Sequence, residues 1–142
     1  RQLCQILKWK ENVDICSVPQ SNTVLEAIQV MADKRAGALL VMDGAKLEGV
    51  ISERDYAREV IIKGRSSKKT LVSEIMSSNV ITVAPTDSVQ NALEVMTEHH
   101  IRHLPIVDNT TVVGVVSIGD LVKDVISVQQ TTIEQLESYI RT

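Results

Sequence analysis

The sequence predicts an α/β fold built from two tandem β-α-β-β-α units related by pseudo-twofold symmetry, with an additional C-terminal helix. Three observations predict it. Shifting the chain by 65 residues lays Val18–Ile61 on Val83–Ile126 without a gap, the mark of an internal structural repeat. Within each copy, a stretch of helical period precedes two short apolar runs that flank a turn signal, Asp43-Gly44 or Asp108-Asn109. The apolar residues are mostly Val, Ile and Leu, with no Phe, one Trp and two Tyr among 142 residues. Aliphatics of that kind in short runs suit buried strands better than a helical bundle.

The identities inside the repeat mark a helix face, a turn and a strand-to-helix junction. They include Val18/Val83, Val24/Val89, Ala27/Ala92, Met31/Met96, Leu39/Leu104, Asp43/Asp108, Gly49/Gly114, Ser52/Ser117 and Asp55/Asp120. Each copy opens on a short extended piece, Val13–Val18 or Val80–Val83, and a polar turn. A helix follows near Thr23, where Glu26 completes a capping box, and Ser88 takes the same cap position in the second copy. Met31 and Met96 fall on its apolar face and read as core. The hairpin strands are Ala38–Met42 with Leu47–Ser52, and His103–Val107 with Val112–Ser117. A second helix spans Glu53–Lys63, ended by Gly64, or Ile118–Val128.

A unit of roughly 55 residues cannot bury enough surface alone, so the two are expected to pack sheet against sheet. The division is 1–70 and 71–142, with Arg65–Thr70 as linker, and Leu71–Met76 opens the second unit as Leu3–Leu7 opens the first. A last helix around Thr132–Arg141 has no repeat counterpart.

Composition narrows the function. The net charge of −3 and the pI near 5.6 argue against nucleic acid as partner. No apolar run approaches a membrane span, and the opening RQLCQILKWKE lacks the apolar middle of a secretory signal, so a cytoplasmic location is expected. Cys4 and Cys16 stand in no metal or redox spacing and read as reduced thiols.

On these residues the chain resembles the tandem cystathionine-β-synthase-type (CBS) domain pair, or Bateman module. The resemblance rests on Gly49-Val-Ile-Ser52-Glu-Arg-Asp55, on Gly114-Val-Val-Ser117-Ile-Gly-Asp120, on Ile101-Arg-His-Leu-Pro-Ile-Val107, and on Val-Ile-Thr-Val at 80–83. Gly-Arg-Ser-Ser at 64–67 is similar to the small two-domain members. The resemblance implies a non-catalytic regulatory module that binds an adenosine compound (AMP, ADP, ATP, NAD(H) or S-adenosylmethionine) in clefts between the units. It also implies a homodimer and an unidentified regulated protein.

The Gly-x-x-Ser-x-x-Asp spacing has its own chemistry. The Ser ends a strand and the Asp lies one helical turn on, so both reach the same place beside a helix N-terminus. A carboxylate there can accept both ribose hydroxyls, while the Ser hydroxyl and helix amides suit phosphate. The same spacing is also a plain capping box. Arg102 and His103 open the second copy's first hairpin strand, and the resemblance places phosphate contacts there; their counterparts are Gly37 and Ala38. The cleft of Ser117 and Asp120 should therefore hold charge better than that of Ser52 and Asp55. The latter can draw on Arg54, Arg58 and the linker residues Arg65, Ser66 and Lys68, which equally read as a solvated basic turn. Backbone near Cys16, Val18, Thr82 and Val83 is expected to read the adenine edge. Pro105 removes one strand donor.

Two other function classes fit parts of the sequence. A thiol-dependent enzyme would use Cys4 or Cys16, but neither has a base and an orienting acid nearby in sequence. A purely structural dimerisation module would not need both Ser and both Asp. His99, His100 and His103 straddle a helix end and share no helical face, so no metal site is expected.

Overall fold

The computed structural model describes residues 1–9 and 16–141, without the side chain of Arg141. The start of the expected extended piece, 13–15, lies outside the described residues. The elements are α1 (Leu3–Trp9), β1 (Ser17–Val18), α2 (Val24–Lys34), β2 (Ala38–Asp43), β3 (Lys46–Ser52), α3 (Glu53–Tyr56), α4 (Val72–Ile75), α5 (Val89–His99), β4 (His103–Asp108), β5 (Thr111–Ser117) and α6 (Ile118–Arg141). They form the α/β fold with two repeated units that the sequence predicts.

The chain divides into two compact units that interleave along the sequence. One takes Asp14–Ile81 with Asn109–Val112, and the other takes Arg1–Val13, Thr82–Asp108 and Val113–Thr142. The counterpart helices α1 and α4 are thus each grouped with the strands of the other repeat. α4 buries Val72 and Ile75, and α1 buries Leu3 and Ile6, the same two faces one turn apart.

Within the unit of the first repeat, β1 runs parallel to β2 (Ser17 opposite Leu40) and β2 pairs antiparallel with β3. The register shifts between Val41 and Met42, since Val41 faces Gly49 whereas Met42 faces Leu47, so Glu48 is the extra residue of a β-bulge. Its core gathers Val18, Val24, Ala27, Met31, Leu39, Val41, Ile51 and Val60 with Val72 and Ile75. In the other unit the buried set includes Val83, Val89, Ala92, Met96, Leu104, Ile106 and Val116. Those seven lie 65 positions beyond the first seven. There β4 and β5 form the hairpin, and an isolated parallel bridge joins Val83 to Ile106.

The caps follow local chemistry. Thr23 Oγ accepts from the Glu26 amide at 3.2 Å while Glu26 returns a bond to the Thr23 amide at 3.1 Å, and Ser88 Oγ accepts from the Asn91 amide at 2.9 Å. Both cap-to-strand turns pass through a left-handed residue that is not glycine, Arg35 and His100, each at φ 54°. That region costs an L-residue about 1–2 kcal/mol. Arg35→Gly is therefore expected to raise stability by about 0.5 kcal/mol once glycine's extra unfolded-state entropy is deducted, read as a higher urea midpoint at constant slope.

Two elements differ from the sequence expectation. The helices expected at Ile118–Val128 and Thr132–Arg141 are one continuous helix, α6, because Gln129-Gln130-Thr131 contains no breaker. The helix expected over Glu53–Lys63 is α-helical only through Tyr56 and continues as a π-helical turn over Ala57–Ile61. The bonds Ile62 N to Ala57 O (3.0 Å) and Arg65 N to Val60 O (2.9 Å) span five residues. No described helix is long and apolar enough to cross a membrane.

Candidate functional site

Each unit brings the same set of groups to its strand-to-helix junction. In the first copy, the Ser52 amide donates to Asp55 Oδ2 at 2.9 Å, the Ser52 hydroxyl to the same oxygen at 3.0 Å, and the Asp55 amide to Ser52 Oγ at 3.1 Å. In the second, the Ser117 amide donates to Asp120 Oδ2 at 2.8 Å and the Asp120 amide to Ser117 Oγ at 3.1 Å. Both are reciprocal caps, so the Ser-x-x-Asp spacing has the structural role that any such spacing can have. In each, the cap falls on Oδ2 and the group remains half-buried at the helix start.

The first residue of each helix ties the junction to the strand entry opposite. The Glu53 amide donates to the Gly37 carbonyl at 3.0 Å, and the Ile118 amide to the Arg102 carbonyl at 2.8 Å. Ala38 lies opposite Ser52 in the β2–β3 register. Gly37 and Ala38 thus sit beside Ser52 and Asp55, and Arg102 sits beside Ser117 and Asp120. Arg102 and His103 are exposed, as are Arg54 and Arg58. Gly119 is the counterpart of Arg54, and a Cβ built on it would meet only the Ser117 hydroxyl, at 3.6 Å. Position 119 of α6 thus carries no side chain, whereas its counterpart on α3, Arg54, carries a guanidinium.

The linker cations are not equally available. Arg65 is held by Glu74 at 2.9 Å, and Lys63 pairs with Glu59. The hydrogen bond and charge of Lys63, with Arg65 and Arg58 behind it, hold the Glu59 carboxyl below its ordinary range. Ser66 and Lys68 are exposed, and the Ser66 carbonyl accepts from the Thr70 amide at 2.9 Å. The neighbouring Ser67 hydroxyl pairs with that of Tyr56 at 3.0 Å.

The strand that precedes each first helix runs beside the hairpin. The Cys16 carbonyl accepts from the Leu40 amide at 3.0 Å, and Val18 lies opposite Val41. In the second copy Val83 donates to the Pro105 carbonyl at 3.1 Å and accepts from Val107 at 2.8 Å. Those bonds occupy the Val83 amide. Pro105 is the counterpart of Leu40 and has no donor to offer. Asp87 went unremarked in the sequence: its Oδ2 accepts from the Ala84 amide at 2.8 Å and braces the turn after Val83. Its signal was the turn chemistry of Ala-Pro-Thr-Asp.

Two glycines of the repeated motif serve close packing. A Cβ on Gly49 would stand 2.7 Å from the Ser77 carbonyl oxygen and 2.9 Å from Met76 Sδ, and one on Gly114 would stand 2.6 Å from Leu7 Cδ2. Those neighbours belong to the segments of α4 and α1. Cys4 and Cys16 are free thiols, half-buried in different units, and Cys4 Sγ lies 3.6 Å from Gln2 Oε1. Among the described residues, no three His, Cys, Asp or Glu side chains stand together as a metal site.

Comparison with known proteins agrees with the duplicated architecture. The CBS domain model matches residues 11–62 and again 72–127. The chain is 39% identical over 125 residues to the mitochondrial CBS domain-containing protein CBSX3 of Arabidopsis thaliana, covering 84% of this chain but 61% of that protein's length. A CBS-domain protein of Burkholderia ambifaria MC40-6 superposes with a TM-score of 0.84 at 46% identity, over 89% of this chain and 95% of the other. The CBS domain protein PAE2072 of Pyrobaculum aerophilum, complexed with AMP, superposes with a TM-score of 0.75 at 29% identity, over 84% and 89% of the two chains.

Proposed function

The chain belongs to the CBS-domain family as a tandem pair, and on that premise we propose that it is a non-catalytic regulatory module that binds an adenosine-containing nucleotide. The ligand class is AMP, ADP, ATP or NAD(H). The main site is the junction of Ser117 and Asp120, with Arg102 and His103 at its strand entry, and the junction of Ser52 and Asp55 is the weaker one. The observation that supports this most is the repetition of one geometry: the same cap and the same amide-to-strand-entry bond occur in both copies, in a relative of a protein complexed with AMP.

The chemistry follows from charge and position. Asp120 is capped through Oδ2, and a carboxylate has further acceptor capacity for the paired hydroxyls of a ribose. Arg102 presents a permanent, planar cation suited to phosphate. Beside the α6 N-terminus, the absence of a side chain at Gly119 lets an anion approach the Gly119 amide. The Asp55 junction lacks a cation at its strand entry, having Gly37 and Ala38 there, and relies on Arg54 and Arg58.

Thermal unfolding with AMP, ADP, ATP, NAD(H) and S-adenosylmethionine tests the reading. A ligand present at 100 times its Kd should add about 2.7 kcal/mol, a shift of several degrees. Absence of any shift across the series at millimolar concentration overturns it. ATP incubated with the purified protein should show no hydrolysis proportional to protein, whereas the alternative of a thiol-dependent enzyme predicts turnover that alkylation of Cys4 or Cys16 abolishes.

A further inference from the structure

The C-terminal helix carries an apolar seam along its whole length. Val122, Ile126, Ile133, Leu136 and Ile140 are spaced by alternating steps of four and three with Gln129 in the gap, the heptad pattern with Ile at a and Val or Leu at d. On the inner side the helix buries Leu121 and Asp124. The seam residues are instead exposed: 45% at Val122, 59% at Ile126, 49% at Ile133, 59% at Leu136 and 81% at Ile140. At 1.5 Å per residue the stripe from Val122 to Ile140 runs roughly 27 Å. Scattered exposed aliphatics need no explanation, but a continuous heptad seam does.

We infer that this seam is the contact surface for a second copy of the chain, with the two α6 helices antiparallel. The inference is independent of nucleotide binding. A symmetric pair must match the seam to itself. In the antiparallel register Val122 meets Ile140 of the second copy, Ile126 meets Leu136, and Gln129 meets Ile133. The two Gln129 side chains then lie about one helical turn apart across the axis, where one amide can donate to the other. Charge selects the direction. Lys123 and Glu137 are both exposed at the flanking e positions, and antiparallel helices bring Lys123 of each copy to Glu137 of the other, twice per dimer. In a parallel pair the same residues are separated by fourteen positions, roughly 21 Å along the axis, and no opposite charges meet. Lys123 also lies over the Trp9 ring at 5.5 Å.

Sedimentation equilibrium of the whole chain tests this. The parent should form dimers at micromolar concentration, and Ile133→Asp with Leu136→Asp should be monomeric with an unchanged unfolding midpoint for the body. Lys123→Glu should weaken the dimer about tenfold, since two pairs turn from attraction to repulsion, and adding Glu137→Lys should restore it. A monomeric parent, or a dimer unaffected by the paired Asp substitutions, overturns the seam as interface. A dimer sensitive to those substitutions but showing no coupling between Lys123 and Glu137 overturns the antiparallel arrangement.

Discussion

Asp120→Ala is expected to weaken AMP binding by on the order of a hundredfold and to leave the fold intact. In the proposed site Asp120 grips two ribose hydroxyls through charge-assisted bonds, each typically contributing about 1.5–3 kcal/mol. A hundredfold loss corresponds to about 2.7 kcal/mol, just under the low end of that sum. The structural cost is smaller: as a helix cap the carboxylate accepts the Ser117 amide at 2.8 Å. Losing a cap of that kind costs about 1 kcal/mol. Asp120→Asn separates the two roles: an amide oxygen can still cap the Ser117 amide, but it has lost the charge that holds the hydroxyls. Calorimetric titration with AMP should therefore show Asn nearly as damaging as Ala, while urea unfolding shows Asn close to the parent. Asp55→Ala should affect AMP binding less, since its strand entry offers Gly37 and Ala38 in place of Arg102 and His103. Parent-like AMP affinity in both Asp120 variants would reduce that residue to a helix cap.

Gly49→Ala is expected to destabilise the unit of the first repeat by about 2–3 kcal/mol, near the upper end of overpacking costs. The added carbon would sit 2.7 Å from the Ser77 carbonyl oxygen. That carbonyl cannot move aside cheaply: it accepts from the Val50 amide at 3.0 Å, and the Ser77 amide donates back to Val50 at 2.9 Å. Relief would require breaking this bridge and separating β3 from the α4 segment. Gly114→Ala presents a closer contact, 2.6 Å, but to the terminal methyl of Leu7, which can change rotamer. Its expected cost is about 1 kcal/mol. Equilibrium urea unfolding of the two variants checks the order; equal losses would mean that the backbone contact at Gly49 is not what fixes that glycine.

The candidate junctions were legible in the sequence for a local reason. Ser52 with Asp55 and Ser117 with Asp120 are three residues apart, and the bonds they make are those that spacing permits on any helix start. The repeat then carried the first junction onto the second. What spacing could not supply was the partner strand entry. Gly37 reaches Glu53 across sixteen residues, as Arg102 reaches Ile118, and only the closing of each hairpin makes them neighbours. Nor could it separate the linker cations: Arg65 is nine residues from the Glu74 that holds it.

The sequence by itself determined the α/β class, the duplication, the hairpins and the caps, because each depends on groups within a few residues or on a periodicity that repeats. Tertiary structure alone decided three other things. It grouped α1 with the second repeat and α4 with the first, an exchange invisible in a pattern that makes Leu3–Leu7 and Leu71–Met76 look alike. It gave the motif glycines their reason, the approach of Ser77 and Leu7 to strand backbone. It also made the helices of the two copies unlike. In the first copy Tyr56 stands where the second has buried Leu121, its hydroxyl reaches Ser67, and the helix continues as a π-helical turn; in the second the α-helix runs on unbroken to Arg141. Contacts between residues far apart in the chain leave no fixed spacing behind them, so they become readable only once the chain has folded.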